Sequence, residues 1–296
     1  MKQAALLTAP DGDVVSDRTA RTVIIKADTP ALAMTWSRYA PGEEGPALHV
    51  HKGHSDSFYV LDGELAIELG SGAGARSVRA GAGDFVLVPP GVAHAFRNEG
   101  PGEARFLNVH APGGGFADYM RAVRDGRRRA AQAFDQEPPP PDGGRPASEA
   151  LVLGAPGGRR LELGPGSSFT VKAGGDDGPG ALALIEIELA PGFPGPVPHR
   201  HRELVDGFWV LDGTLDVLIG EAWGRARAGD YAVVPAGNVH AFANRGDEPV
   251  RALNVLAPGG FERYLAEVAA ARAPGDPADP AAMAAVAARY DFEPVA

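Results

Sequence analysis

Short apolar runs cut by glycine and proline occupy most of the chain. SFYVLDGELAIEL (57–69), DFVLVPP (84–90) and ARFLNVH (104–110) are β-branched or aromatic, alternate crudely, and are bounded by Asp-Gly, Pro-Pro-Gly or Pro-Gly turns, a pattern that predicts strands. A helical period is confined to FADYMRAVRDGRRRAAQAF (116–134), FERYLAEVAAAR (261–272) and PAAMAAVAARY (280–290). Many short strands closed by terminal helices predict an all-β chain built as an antiparallel barrel or jelly roll.

The pattern is written twice. FYVLDGELAI (58–67) returns as FWVLDGTLDV (208–217), and APGEEGP (40–46) returns as APGFPGP (190–196), both at an offset of 150. AGAGDFVLVPPGVAHAF (80–96) returns as ARAGDYAVVPAGNVHAF (226–242), and LNVHAPGG (107–114) as LNVLAPGG (253–260), both at an offset of 146. The four missing residues fall between GSGAGAR (70–76) and GEAWGR (220–225), a glycine-rich turn whose length can vary. Four consecutive prolines and a Gly pair in DQEPPPPDGGRPASEA (135–150) cannot continue a helix or enter a sheet interior. Two domains, 1–137 and 151–296, are therefore expected on either side of a Pro/Gly-rich linker at 138–150, each ending in short helices.

Composition narrows the chemistry. Zero cysteines exclude disulfides, thiolate metal sites and a cysteine nucleophile, so any metal must be held by His, Asp or Glu. A net charge of −10 argues against nucleic acid or an anionic membrane as partner, and Arg127, Arg128 and Arg129, the single basic cluster, read as a solvated helix face. No apolar run approaches membrane-spanning length, and the first residues lack the apolar core of a secretion signal, so a cytoplasmic protein is expected. The glycine-rich run before the second motif lacks the strand-then-helix context of a nucleotide loop.

Six of the eight histidines pair across the repeat. His49 and His51 correspond to His199 and His201, and His94 corresponds to His240, each at the local offset. Residues two apart on a strand share a face, so each HxH pair can reach one ion, with the third imidazole supplied by the strand after a Pro-Gly turn. Asp56 and Asp206, five residues after each HxH, would complete three imidazoles and one carboxylate, a transition-metal ligand set. His54 reads as a solvent-exposed turn residue. His110, replaced by Leu256 in the second copy, is a pocket candidate, as are Phe58, Phe96, Phe208 and Phe242, which serve core packing equally well.

These residues resemble the cupin family, and the chain looks like a bicupin. The first motif reads HVHKGHSDSFYVLDG (49–63) and HRHRELVDGFWVLDG (199–213), with the family's opening glycine displaced to Gly42 and Gly192. The second is matched at Gly83, Pro89, Gly91, His94 and Asn98, and again at Gly229, Pro235, Gly237, His240 and Asn244. Both copies carry Asp where the family usually has Glu. The resemblance implies two jelly-roll barrels, each holding one divalent transition metal (Fe, Mn, Ni, Co, Cu or Zn).

Among bicupins the texture is closest to the quercetinase-like dioxygenases, which implies a small enolisable or phenolic substrate deprotonated by Asp56 or Asp206. The oxalate-degrading bicupins carry Arg-Glu before the first His, where this chain has Pro46-Ala47-Leu48 and Pro196-Val197-Pro198. A non-redox metal enzyme (isomerase, epimerase or decarboxylase) and a binding bicupin without turnover are the alternatives. Two barrels in one chain are compatible with a monomer paired internally or with a homo-oligomer.

Overall fold

The computed structural model describes residues 4–178, 180–271 and 280–295. Two compact units emerge, one formed by residues 12–157 with 177–181, the other by residues 1–11, 158–176 and 182–296.

The first unit contains a seven-stranded antiparallel sheet in the order Leu151–Leu153, Phe85–Val88, Ser55–Asp62, Ala104–Ala111, Ala33–Tyr39, Arg21–Asp28, Asp13–Arg18. A smaller sheet, Arg76–Gly81, Glu64–Leu69 and His94–Arg97, completes the jelly roll. The sequence run 57–69 breaks into two strands at Gly63, which takes φ 75°; a Cβ there would meet the Glu103 carbonyl oxygen at 2.2 Å, so the turn demands glycine. Alternation along Ser55–Asp62 sends Phe58 and Val60 into the core with Phe106, Leu65, Ile67 and Val86, and it puts Asp56 on the same face at the barrel's interior.

The second unit repeats this plan. Its large sheet runs Ala5–Leu7, Tyr231–Val234, Val205–Asp212, Val250–Ala257, Ala183–Leu189, Ser167–Ala173, Arg159–Gly164, and its smaller one Ala222–Arg227, Thr214–Ile219, His240–Ala243, His199–Arg200, Glu293–Pro294. The core is the counterpart of the first, with Phe208, Val210, Leu215 and Val217, but it also includes Ile185, Ile187, Leu189, Leu204 and Leu256.

Three features depart from the expectations drawn from sequence. The helical stretch 116–134 is two helices, Phe116–Arg124 and Arg128–Gln132, because Gly126 adopts φ 66° between them. The stretch 261–272 gives Glu262–Ala270, with Arg272 outside the described residues, and 280–290 gives Pro280–Ala287. Residues 138–150 are fastened to the first unit: the Arg145 amide donates to the Gly91 carbonyl at 3.0 Å, and the Ser71 hydroxyl donates to the Gly143 carbonyl at 3.0 Å.

The edge of each large sheet is closed by a three-residue strand from outside the repeat's common segment. Leu151–Leu153 pairs with Phe85–Val88 in the first unit, and Ala5–Leu7 pairs with Tyr231–Val234 in the second. Without them the buried strands Phe85–Val88 and Tyr231–Val234 would present an unpaired row of backbone groups. Leu6 and Val152 also pack against the respective cores. Replacing Leu6 with Ala is expected to cost about 1 kcal/mol and to raise amide exchange at 231–234 roughly fivefold while leaving 85–88 protected, with Val152→Ala giving the reverse. Unchanged exchange at 231–234 in Leu6→Ala would show that this strand contributes no local stability.

Candidate metal centres

In the first barrel, His49 lies opposite His94 and the two exchange backbone hydrogen bonds of 3.0 and 2.8 Å. The ladder thereby brings together the end of the HxH segment and the start of His94–Arg97, and it explains why the third imidazole follows a Pro-Gly turn. Asp56 joins from the neighbouring sheet. All four residues are buried, and one ligand atom from each lies within 4.8 Å of the others.

Each imidazole is oriented by a backbone carbonyl. The Nδ1–H of His49 donates to Ala47 at 2.8 Å, that of His94 to Val92 at 3.2 Å, and that of His51 to the Asp135 carbonyl. With Nδ1 as donor, a neutral imidazole presents its lone pair at Nε2. His49 Nε2 lies 3.2 Å from His51 Nε2, while Asp56 Oδ2 lies 3.1 Å from His94 Nε2 and 3.9 Å from His51 Nε2. Donors bound to one ion at about 2.1 Å and separated by 90–109° sit about 3.0–3.4 Å apart, so the spacing is that of adjacent ligands. With the carboxyl ionised, acceptors this close fit a cation at their centre.

Burial keeps the imidazoles neutral and therefore ready to ligate: the pKa values of His49 and His94 are pushed down to about 4, and that of His51 to about 3. Burial raises the Asp56 carboxyl, against the pull of His51 and His49 and of the hydrogen bond from Asn108. The Asn108 amide grips Oδ1 of Asp56 and also donates to the Ser57 carbonyl at 3.2 Å, which leaves Oδ2 turned toward His94.

The second barrel repeats the arrangement. The Nδ1–H groups of His199, His240 and His201 donate to Val197 (2.9 Å), Asn238 (3.2 Å) and the Asp291 carbonyl. Burial depresses the pKa of His199 to about 3. Asn254 grips Asp206, whose Oδ2 is 3.1 Å from His240 Nε2 and 3.9 Å from His201 Nε2. Here the convergent group is the three imidazoles, with Asp206 to one side.

Two histidines distinguish the first barrel. His54, expected in solvent, is buried: its ring lies 4.1 Å from His51 and 5.3 Å from Phe134, and its Nδ1 is 3.2 Å from the Asp135 carboxylate, because the segment after the helices folds back over the turn. His110 stands directly across the ladder from Asp56, with Nε2 3.6 Å from Oδ1, and stacks on Phe116 at 3.6 Å. His51, His54 and His110 form a second close group, but both nitrogens of His51 are already committed, to the Asp135 carbonyl and to the first group. In the second barrel Leu204 and Leu256 take the places of His54 and His110 and enter the core.

A cavity of about 650 Å³ opens onto the first centre, where His49, His51, Asp56, Asn108 and His110 form its floor. Thr35 and Ser37 line one side, and Tyr39, Phe96, Phe106, Phe116 and Tyr119 supply aromatic surface. Phe58 is fully buried in the core behind this wall, Phe208 is its core counterpart, and Phe242 packs against the second core. At the positions of Thr35, Ser37 and Tyr39 the second barrel places Ile185, Ile187 and Leu189, all buried.

The Cupin domain family description matches residues 35–110 and 185–256, one stretch in each barrel. The chain belongs to the cupin family. Among solved structures this bicupin is similar to an oxalate decarboxylase of Lactobacillus farciminis in complex with formate (16% identity, TM-score 0.60, 86% of each chain). It is also similar to a variant of the Bacillus subtilis enzyme (18% identity, TM-score 0.61, 87% of this chain and 78% of that one). These likenesses establish the fold. Curated relatives include a germin-like protein of Arabidopsis thaliana, 36% identical over 89 residues, and one of Oryza sativa, 35% identical over 86. Those matches cover 26% of this chain and 39% and 38% of the relatives' length.

Each barrel of the bicupin thus carries buried residues able to hold one divalent transition metal. Asn108, Asn254, Asp135 and Asp291 are the site residues that motif reading overlooks. The asparagines lie in the repeated LNVHAPGG and LNVLAPGG blocks, and the aspartates lie in FDQEP (134–138) and YDFEP (290–294), a further repeated block at a third offset, 156.

Elemental analysis is expected to find about two equivalents of metal, with His94→Ala and His240→Ala each losing about one. Metal present at a hundredfold its Kd stabilises each site by about 2.7 kcal/mol, so chelation lowers the melting temperature. Full metal content in both variants would disprove the ligand assignment.

Proposed function

We propose that this bicupin is a metal-dependent dioxygenase whose first barrel acts on an enolisable or phenolic substrate with an aromatic-sized body. The supporting observation is the cavity of about 650 Å³, which joins an aromatic wall to the first ligand group. Its volume is that of a site for a drug-sized molecule and far exceeds what a two-carbon dianion fills. When bound, a divalent metal would polarise a pair of substrate oxygens and, where redox-active, exchange electrons with dioxygen.

The chain's own residues supply the rest. Phe96, Phe106 and Phe116 pack a planar ring, and Thr35 and Ser37 face it with hydroxyls 3.5 Å apart that can bond to peripheral oxygens. Asp56, its Oδ1 fixed by Asn108, takes the substrate's acidic proton. Burial strengthens the carboxylate as a base. In the second barrel the apolar Ile185, Ile187, Leu189, Leu204 and Leu256 stand at the corresponding positions, which supports reading an ion there as a contributor to stability.

The solved neighbours that are oxalate decarboxylases favour a second reading, non-redox decarboxylation or isomerisation in the same barrel. Oxygen uptake with flavonols and other enolisable phenols separates the two. The expected result is oxygen consumption with Fe, Mn, Ni or Co, lost in His94→Ala and largely kept in His240→Ala. Turnover that persists without oxygen and with Zn would transfer the proposal to the non-redox reading, and ligand binding without turnover to a binding protein. Thr35→Ile/Ser37→Ile, which imports the second barrel's residues, is expected to raise KM at least tenfold at unchanged metal content. An unchanged KM would remove this wall from the substrate site.

A further inference from the structure

The central histidine of each metal group is held by a segment that follows the barrel's terminal helices. In the first barrel the Asp135 carboxylate accepts hydrogen bonds from the amides of Lys52 (2.9 Å) and Gly53 (2.7 Å), while its backbone carbonyl accepts the Nδ1–H of His51. Two residues on, Glu137 and Val50 exchange both backbone bonds, at 2.8 and 3.0 Å. In the second barrel the Asp291 carboxylate accepts from the amides of Arg202 (2.6 Å), Glu203 (2.9 Å) and Leu204 (3.1 Å), and its carbonyl accepts from His201. Glu293 then pairs with Arg200 in the ladder, and Phe292 stacks on His199 at 4.2 Å.

The other imidazoles need no such help. His49, His94, His199 and His240 take their orienting bonds from carbonyls two residues earlier in their own chain segments: Ala47, Val92, Val197 and Asn238. Among the six imidazoles only His51 and His201 take theirs from a partner distant in sequence, and that partner's own carboxylate binds the amides of the turn after the HxH. The same device stands in both barrels although their interiors have diverged, so it follows the metal ligands and not the cavity.

We propose that the segments 134–138 and 290–294 are metal-retention latches, in which Asp135 and Asp291 are positioning residues that keep Nε2 of His51 and His201 on the ion. The proposal rests on each barrel binding a metal. Loss of the carboxylate removes the segment's hold on the turn amides and loosens it, although its backbone pairing with the HxH remains, so the carbonyl shifts from Nδ1 and the ring is freer to turn its lone pair away. Loss of such an orienting partner typically weakens metal affinity about 10–100-fold. The latch closes over a ligand already in place, so the change falls on release. In the first barrel Gln136 lines the cavity, so the latch there is also part of the cavity wall.

The test uses full-length protein loaded with Co(II) and challenged with excess chromophoric chelator. The His240→Ala parent retains the first site alone, and the His94→Ala parent the second. In the His240→Ala parent, Asp135→Ala is expected to release cobalt about 10–100-fold faster and Asp291→Ala at the parental rate. In the His94→Ala parent the two variants exchange behaviour. Asp135→Asn, which keeps one acceptor for the turn amides, falls between and serves if the alanine variant does not fold. Complete loss of cobalt from a variant that still melts cooperatively is the extreme of the expected result. Equal release rates in Asp135→Ala, Asp135→Asn and their parent would overturn the latch, as would acceleration in the barrel not mutated. A parent that takes up no cobalt would overturn the metal reading instead.

Discussion

A neutral imidazole has one donor and one acceptor, so anchoring the donor fixes where the acceptor points. In each barrel three Nδ1–H groups are anchored on backbone carbonyls, and the three Nε2 atoms of these buried rings converge. The rest of the architecture serves that constraint. Pairing His49 with His94, and His199 with His240, in a ladder sets two ligands by backbone registry before any side chain is considered. A carboxylate held by an asparagine then supplies negative charge beside them. Converging lone pairs repel one another in the dry interior, and a cation turns that cost into a stabilising interaction.

Duplication preserved this ligand geometry and freed the interiors to diverge. Replacing Thr35, Ser37, His54 and His110 with their counterparts Ile185, Ile187, Leu204 and Leu256 exchanges polar lining for packed hydrocarbon. Aliphatic side chains at these positions add dispersion contacts and remove polar groups that would need partners.

What was legible in the sequence was whatever the chain encodes over short distances. The HxH pairs, the Pro-Gly turn before His94 and His240, and the alternation around FYVLDG each specify a local conformation, and together they yielded both barrels and the six paired imidazoles. Relations that close over long distances stayed hidden. His54 looks like a surface turn residue until Phe134 and Asp135, about eighty positions later, fold over it. Asp135 and Asp291 carry no motif because their contribution is a backbone carbonyl, which any residue has, and a carboxylate aimed at amides that the sequence does not single out. The short strands Ala5–Leu7 and Leu151–Leu153 escaped for a related reason, since three residues carry too little alternation to be read.

The substitution of Asp for the family's usual Glu connects the ligand group to the chemistry. A shorter side chain must approach from closer to the strand, and Asp56 does so from a ladder position whose direct opposite is residue 110. With His110 there, Asp56 Oδ1 has a second polar neighbour beside the Asn108 amide, at the floor of an open cavity. With Leu256 opposite Asp206, the same oxygen keeps the asparagine and faces an aliphatic side chain across the ladder. One ladder pair therefore sets whether the carboxylate's neighbour across the sheet is an imidazole or a leucine. The two barrels thus differ around the carboxylate in that pair and in the lining near it, with the three imidazoles unchanged.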